Sequence, residues 1–450
     1  MKQDNLPKRH LNRREFVKGA GLAAGAFMIV PRHVLGKGFV APSDKLNIAG
    51  VGIGGMGKAN LKNLESENIV ALCDVDHAYA APVFETYPNA KRYKDYRQML
   101  DKQKDIDALV IATPDHTHAV VAMAGLQMGK HLYVQKPLTF TVYEARVLAD
   151  AARKAKVVTQ MGNQGHSTDD ARKINEWIQA GAIGEVSEVH AWTNRPIWPQ
   201  GMPRPEKSQP VPDTLAWDLF LGPAPFVPYN EAYTPFKWRG WTDYGVGAIG
   251  DMGAHLIDHP NWALELGPPS SVMATSTPFN KESYPLATIV HYEFPAKAGR
   301  PAVTMHWYDG GLMPPRPDEL PEGEEMNKTG GVIFVGSKGK LMHETYGRNP
   351  RLLPQGLMDA FQPPKPTIPR VTVSHEMDWA NACKEGKGRK PSSNFDYAGP
   401  LTETMLLGVV GLYEPNKKLI WDNTNMQFTN APELNQYLRR DYRDGWSLGL

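Results

Sequence analysis

Cysteine is almost missing from this chain of 450 residues, which holds only Cys73 and Cys383. Two such thiols make neither a disulfide framework nor a cysteine metal site, and Cys73 lies in a predicted buried strand, where a small apolar residue belongs. Membrane-length apolar runs are missing too: Gly19 to Val30 spans 12 residues, too short to cross a bilayer. Nor is there an excess of one charge. The formal net charge is +2, but residues 1–37 carry eight Lys or Arg against two Asp or Glu, which leaves 42 basic and 46 acidic residues in the rest. A mildly acidic body gives nucleic-acid binding no electrostatic support. No internal repeat is visible. The length allows two or three domains, and 41% hydrophobic with 22% charged residues is ordinary for a globular chain.

What is present is glycine at one informative place. Leu46-Asn47-Ile48-Ala49-Gly50-Val51 reads as a short apolar strand running into Gly52-Ile53-Gly54-Gly55-Met56-Gly57. A helix-compatible stretch follows, then a second strand, Ile69 to Cys73, ending at Asp74. A G-x-G-x-x-G turn between strand and helix is a dinucleotide cradle. Gly52 permits the tight turn, Gly54 admits a pyrophosphate close to the backbone, and Gly57 lets the helix approach the strand. Gly55 and Met56 open the helix, whose N-terminal N–H groups attract phosphate. Asp74 stands where an acid accepts hydrogen bonds from a ribose. It would repel a 2′-phosphate, and Val75-Asp76 supplies no arginine, so NAD is expected over NADP.

The N-terminal segment reads as an address. Asn12-Arg13-Arg14-Glu15-Phe16-Val17-Lys18, followed by the glycine- and alanine-rich run, has the order of a twin-arginine export signal. It is expected to occupy residues 1–40, to be cut between Leu35 and Ala41, and to place the protein in the periplasm or otherwise outside the cytoplasm. No cysteine near the cut supports a lipid anchor. Because this route exports folded proteins, the cofactor is expected to be loaded first and held tightly.

Residues 44–165 alternate strand and helix, as a doubly wound dinucleotide domain does. Ile106–Thr113, Lys130–Gln135 and Val157–Met161 read as strands, and Thr141-Val142-Tyr143-Glu144 as a capping box that opens a helix. From about residue 185 period-two strands predominate, at Glu185–Thr193, Thr288–Phe294, Ala302–Tyr308 and Gly331–Val335. The expected fold is therefore α/β: a Rossmann domain followed, over 166–425, by an α+β domain with a large, mostly antiparallel open sheet. A final helix within 426–450 is expected to pack back on the first domain. Ten prolines between Arg195 and Pro235 mark an ordered, irregular wall.

Several side chains are placed for chemistry. Lys136 follows a parallel strand at the edge where open α/β sheets bind ligands. Asp251 and His255, four apart on a predicted helix, share a face, so the carboxylate can orient the imidazole and raise its basicity. Thr113, Pro114 and His118 border the cofactor, His116 and His118 being structural or cofactor-lining. Asn163, Gln164 and His166 end the last strand of the first domain and can point into the cleft, Asn163 toward the cofactor and Gln164 and His166 toward the substrate. Asn194, Trp198, Arg239 and Tyr244, with Trp192, Arg195, Trp238 and Trp241, offer aromatic faces and hydrogen bonds for a sugar. A His255, Asp258, His259 metal site is the less favoured reading, since the His-x-x-x-His lacks the protease glutamate and Pro260 bends the helix.

Four motifs in this order resemble the glucose–fructose oxidoreductase/inositol dehydrogenase (Gfo/Idh/MocA) family: Gly52–Gly57, Ala112–His118, Gln135-Lys136-Pro137, and Gly250–Asp258. The resemblance covers nearly the whole chain from residue 44. Gln135 departs from it, since the family usually has glutamate before the lysine. The resemblance implies an NAD-dependent oxidoreductase acting on a secondary hydroxyl of a sugar, cyclitol or glycoside, with Lys136, Asp251 and His255 as the catalytic set and Lys136 also beside the cofactor. Which of Lys136 and His255 takes the proton stays open. A branch of the family cleaves glycosides by transient oxidation and elimination; it lacks the Lys-Pro motif, so Lys136 argues against it. A non-catalytic exported sugar-binding protein is the third reading. No resident metal is expected. The other expected partners are the export machinery and further copies of the chain in a homodimer or homotetramer, packed through a sheet face carrying Tyr292, Phe294, Met305, Trp307 and Phe334.

Overall fold

The computed structural model describes residues 44–386 and 388–449; the proposed export signal lies outside them. The unit that starts at Leu46 is built on two sheets.

The first sheet has six parallel strands: β1 (Asn47–Val51), β2 (Asn68–Cys73), β3 (Lys91–Tyr93), β4 (Ala108–Ile111), β5 (His131–Val134) and β6 (Thr159–Met161). Their order, β3-β2-β1-β4-β5-β6, is that of a Rossmann domain, and it reverses direction between β1 and β4. The apolar runs are buried on both faces, as crossover helices require. The capping box forms as expected: Thr141 accepts from the Glu144 N–H, and Glu144 accepts in return from the Thr141 N–H.

The second sheet has nine strands: β7 (Val186–Thr193), β8 (Ser271–Ser276), β9 (Thr288–Phe294), β10 (Val303–Tyr308), β11 (Gly330–Gly336), β12 (Gly339–Glu344), β13 (Arg351–Leu353), β14 (Leu419–Asp422) and β15 (Gln427–Phe428). The order is β13-β12-β11-β7-β10-β9-β8-β14-β15, antiparallel except for β7 beside β10. Tyr292, Phe294, Met305, Trp307 and Phe334 all point inward to one core. The helix Phe395–Gly411 packs on β8 and β9, so closely that a Cβ on Gly408 would lie 2.0 Å from the Tyr292 hydroxyl. The expectation that these five residues form an open apolar face is thereby corrected. The opposite face carries Glu188, His190, His291, His306 and Tyr308, and beside them Leu320 and Met326 pack on Trp192 and Ile333.

Two boundaries differ from expectation. The helix His375–Glu385 lies in the range given to the second domain, yet its Trp379, Ala380 and Cys383 pack with Ile48, Val110 and Tyr133 of the first sheet. The tail does not form an α-helix: after a 3₁₀ stretch, Pro432–Leu438, it runs irregularly along the first domain. Arg440 and Tyr442 bond Glu144, and the Gly449 carbonyl accepts from Gln127.

Candidate active site

A cleft of about 530 Å³ lies at the carboxyl ends of β1, β4 and β5. At one end is the glycine turn. Gly52 has φ +76°, and a Cβ there would meet the Thr113 nitrogen at 2.6 Å. A Cβ on Gly57 would lie 2.3 Å from the Gly52 carbonyl oxygen, so glycine alone lets the helix Met56–Asn63 sit this close. That helix has no side-chain cap and no acid in its first turn, so its N-terminal N–H groups are left for an anion. Gly54 differs in detail: the ring of Tyr79 fills the space beside it, 2.2 Å from where a Cβ would be.

Asp74 lines the cleft, but its carboxylate also binds the turn. Oδ2 accepts from the Ile53 and Gly54 N–H groups at 2.8 and 3.0 Å, and Oδ1 accepts from the Asp76 N–H. Oδ1 retains a lone pair for a ribose hydroxyl. Burial pushes this carboxyl up, against the backbone N–H bonds. A glycine cradle, a free helix N-terminus and an acid at the end of β2 together fit NAD. Gly55, Met56, Thr113, Pro114 and His118 line the same cleft. His118 sets both ring nitrogens against backbone carbonyls, Pro137 and Thr113, and burial takes it down to about 4.

At the other end Lys136, from the segment after β5, meets the helix Gly247–Leu256. Lys136 Nζ donates to Asp251 Oδ1 at 2.8 Å and to the Asp251 carbonyl at 2.7 Å. Arg239 Nε stands 3.5 Å from Oδ1 and Arg195 Nε 3.9 Å from Oδ2. Burial would raise the Asp251 carboxyl, but Lys136 and Arg239 outweigh it and bring it down to about 2. The expected Asp251–His255 hydrogen bond is therefore corrected. The two residues share a helix face, but the carboxylate turns to the lysine. His255 Nδ1 has no partner, its ring meets Tyr346 edge-on at 4.7 Å, and burial with the Lys136 charge takes it down to about 3.

The structure brings Gln164 and Arg239 into this end as well, Arg239 stacking over Trp238 at 4.2 Å. Other expected contacts lie elsewhere. Asn163 is fully buried, donating to Asp258 and accepting from Ser393, and so does not reach the cleft. His166 is held by Asp258 at 3.0 Å and stacks on Trp262, away from any substrate. Trp198 donates to Gln200. Tyr244 is buried among His116, Phe220 and Tyr233. Asn194 accepts from Arg195. None of these five lines the cleft. The proline-rich wall contributes Leu219, Phe220, Pro235 and Phe236 instead. His259, from the less favoured metal reading, faces His343 edge-on. The helix breaks at Ile257, before Pro260, which sits in the first turn of Asp258–Ala263.

Sequence reasoning missed Asp115. It lines the cleft and accepts from the Val246 N–H at 3.2 Å; burial pushes it up to about 7, although Arg239 and Lys136 pull the other way. An acid just past a parallel strand was the available signal. Tyr79, Tyr346 and Trp446 were also missed; all three come from irregular segments. Gln135, in place of the glutamate, donates to Asn60 Oδ1, and Asn60 donates to Glu376.

Residues 46–163 match the GFO_IDH_MocA family, described as an oxidoreductase family with an NAD-binding Rossmann fold, and residues 171–279 match its C-terminal alpha/beta domain. Among curated relatives, glycosyl hydrolase family 109 protein 1 of Shewanella sp. (strain MR-4) is 30% identical over 206 residues, 39% of this chain and 44% of that protein. An alpha-N-acetylgalactosaminidase of Shewanella oneidensis is 29% identical over the same shares. The chain thus spans less than half the length of these relatives. The fold is shared with the WlbA dehydrogenase of Bordetella pertussis in complex with NADH and UDP-GlcNAcA (TM-score 0.59, 17% identity, 84% of this chain and 99% of that one). It is shared too with an inositol dehydrogenase homologue of Azotobacter vinelandii complexed with NADH and myo-inositol (TM-score 0.55, 18% identity, 84% and 98%).

Proposed function

The chain belongs to the Gfo/Idh/MocA oxidoreductase family, and from that premise we propose that it oxidises, or in reverse reduces, a secondary hydroxyl of a sugar, cyclitol or glycoside. One observation carries the reading: Lys136, Asp251, Arg239 and His255 meet in the same cleft as the glycine turn. Bound NAD supplies a hydride acceptor for the carbinol carbon. Lys136 keeps two N–H bonds on Asp251 and turns the third to the reacting oxygen, stabilising its developing negative charge. Neutral His255, which lines the cleft, takes the hydroxyl proton on its imidazole. Burial, and after it the lysine charge, weakens this base, and the same charge acidifies the alcohol. Asp251 fixes the lysine, and Arg239 holds a neighbouring hydroxyl. The test is product analysis with a panel of sugars, cyclitols and glycosides under added NAD. A keto-sugar with stoichiometric NADH supports the reading; turnover of none of them, by a protein that binds NAD, would sink it.

A second reading is favoured by the curated relatives: a glycosidase that oxidises a ring hydroxyl, eliminates the aglycone and re-reduces the product. Release of nitrophenol from a nitrophenyl N-acetyl-α-galactosaminide, without net NADH, would select it. The binding-protein reading would show neither product. We propose further that the protein is exported folded by the twin-arginine route with NAD already bound. Protein isolated from its exported location should release NAD(H) on denaturation; a nucleotide-free preparation that does not bind added NAD contradicts this.

A further inference from the structure

The outer face of the second sheet carries a histidine cluster that the nucleotide cleft does not use. His190 on β7 lies directly opposite His306 on β10, and His306 lies opposite His291 on β9. Glu188 is two residues from His190 along β7, hence on the same face. Glu188 Oε1 stands 3.2 Å from His190 Nε2 and 3.1 Å from His306 Nε2. The two imidazoles lie nearly parallel, their centroids 5.0 Å apart. One ligand atom from each of the three residues lies within 4.8 Å of the others.

Ligands held about 2.0–2.2 Å from a tetrahedral ion are separated by roughly 3.3–3.6 Å. The carboxylate–imidazole distances come within a few tenths of an ångström of that spacing, and the ligand atoms, all within 4.8 Å of one another, would close on an ion by rotation of the two rings. The far side of each ring is also arranged as metal-binding histidines require, with the second nitrogen engaged. His190 Nδ1 faces the Tyr308 hydroxyl at 3.2 Å, and His306 Nδ1 faces His291 Nδ1 at 2.5 Å. When those Nδ1 atoms donate, both Nε2 lone pairs and a carboxylate converge on one point. Three acceptors meeting there call for a cation. Three adjacent paired strands fix the backbone, so little ordering is needed for binding.

We propose that Glu188, His190 and His306 bind one divalent transition-metal ion of the zinc type. His291 and Tyr308 act as positioning residues behind the two imidazoles. Two imidazoles and one carboxylate suit zinc and leave one tetrahedral position for water.

The test uses the full chain, stripped with EDTA, desalted, and titrated separately with zinc chloride by calorimetry and cobalt(II) chloride by visible absorption. One equivalent per chain is expected, with the intense bands of four-coordinate cobalt. Glu188→Gln and the double variant His190→Ala/His306→Ala should lose it, and His291→Ala should weaken it about 10–100-fold. NAD affinity, read in parallel, should be unchanged and reports that each variant is folded. Glu188→Gln keeps the shape of a half-exposed side chain, so it remains informative if the double variant does not fold. Saturation in the wild type that persists undiminished in Glu188→Gln overturns the proposal. So does the absence of saturable binding at micromolar metal, which would leave a hydrogen-bonded His–Glu cluster.

Discussion

Asp251 sits where three cations converge, and this decides how its substitution should act. With the carboxylate paired to Lys136, Asp251→Asn leaves a largely buried ammonium beside two guanidinium groups without its paired counter-charge, Asp115 being the other carboxyl near them. Breaking a buried pair costs about 3–5 kcal/mol, and the exposed edge of this one puts it toward the lower end. Asp251→Asn should therefore lower both Tm and turnover, with turnover falling by about 10²-fold or more, close to the loss for Lys136→Ala. A mild effect confined to the pH profile would mean that Asp251 serves His255 after all. The two residues also separate by titration. His255, held down to about 3, should contribute no limb to the pH–rate curve between pH 5 and 8. Any limb near 7 belongs to Asp115 and should vanish in Asp115→Asn; its survival there would contradict the assignment. The sequence made Lys136, Asp251 and His255 visible as a set, since local spacing puts two of them on one face. It did not make the pairing visible, because the lysine arrives from another element 115 positions away.

At the scale of elements, what was legible follows from periodicity. The short apolar strands of the first sheet and the alternating strands β7, β9, β10 and β11 carry their faces in sequence. The helix Phe395–Gly411 does not: it is buried on nearly every side and has Pro400 inside, so no amphipathic stripe marks it. The tail has a helix-like composition, yet it is held by contacts to distant residues, Tyr442 donating to Glu144 and the Gly449 carbonyl accepting from Gln127, and not by helical backbone bonds. The glycine turn was legible because sterics at single positions dictate it. Gly57→Ala tests that directly. The added methyl would meet backbone, not a movable side chain, so the helix Met56–Asn63 must shift away from β1. A destabilisation of about 1–3 kcal/mol is expected, with NAD affinity falling at least tenfold. Unchanged affinity, measured by quenching of protein fluorescence, would show that the helix N-terminus does not hold the pyrophosphate.

At the scale of the whole molecule, several histidines among the described residues are buried where desolvation favours the neutral ring, although His116 and His118 each face backbone carbonyls with both nitrogens. Burial takes His116 and His255 down to about 3 and His118, His259 and His375 down to about 4, each from an ordinary value of 6.5. Below pH 6.5 the unfolded chain binds protons at these five sites while the folded protein does not. Their contribution is thus complete above 6.5 and is lost as pH falls toward 4. Two carboxyls act the other way. Burial pushes Asp115 and Asp309 up to about 7, so the folded protein holds their protons first and is favoured as pH falls from 7 toward 3.8. His343 is lowered too, and Asp74 and Asp243 are raised, all by burial; the lowered imidazoles outnumber the raised carboxyls, so unfolding takes up protons and stability falls as pH falls below 6.5. Tm measured by calorimetry should fall steadily from pH 6.5 to 4.5. The slope should be shallower in His259→Leu, which removes an imidazole whose two nitrogens are both buried and unpartnered. A Tm that is flat or rising over this range would show that the buried imidazoles are already charged, held by the carbonyls and carboxylates that face them.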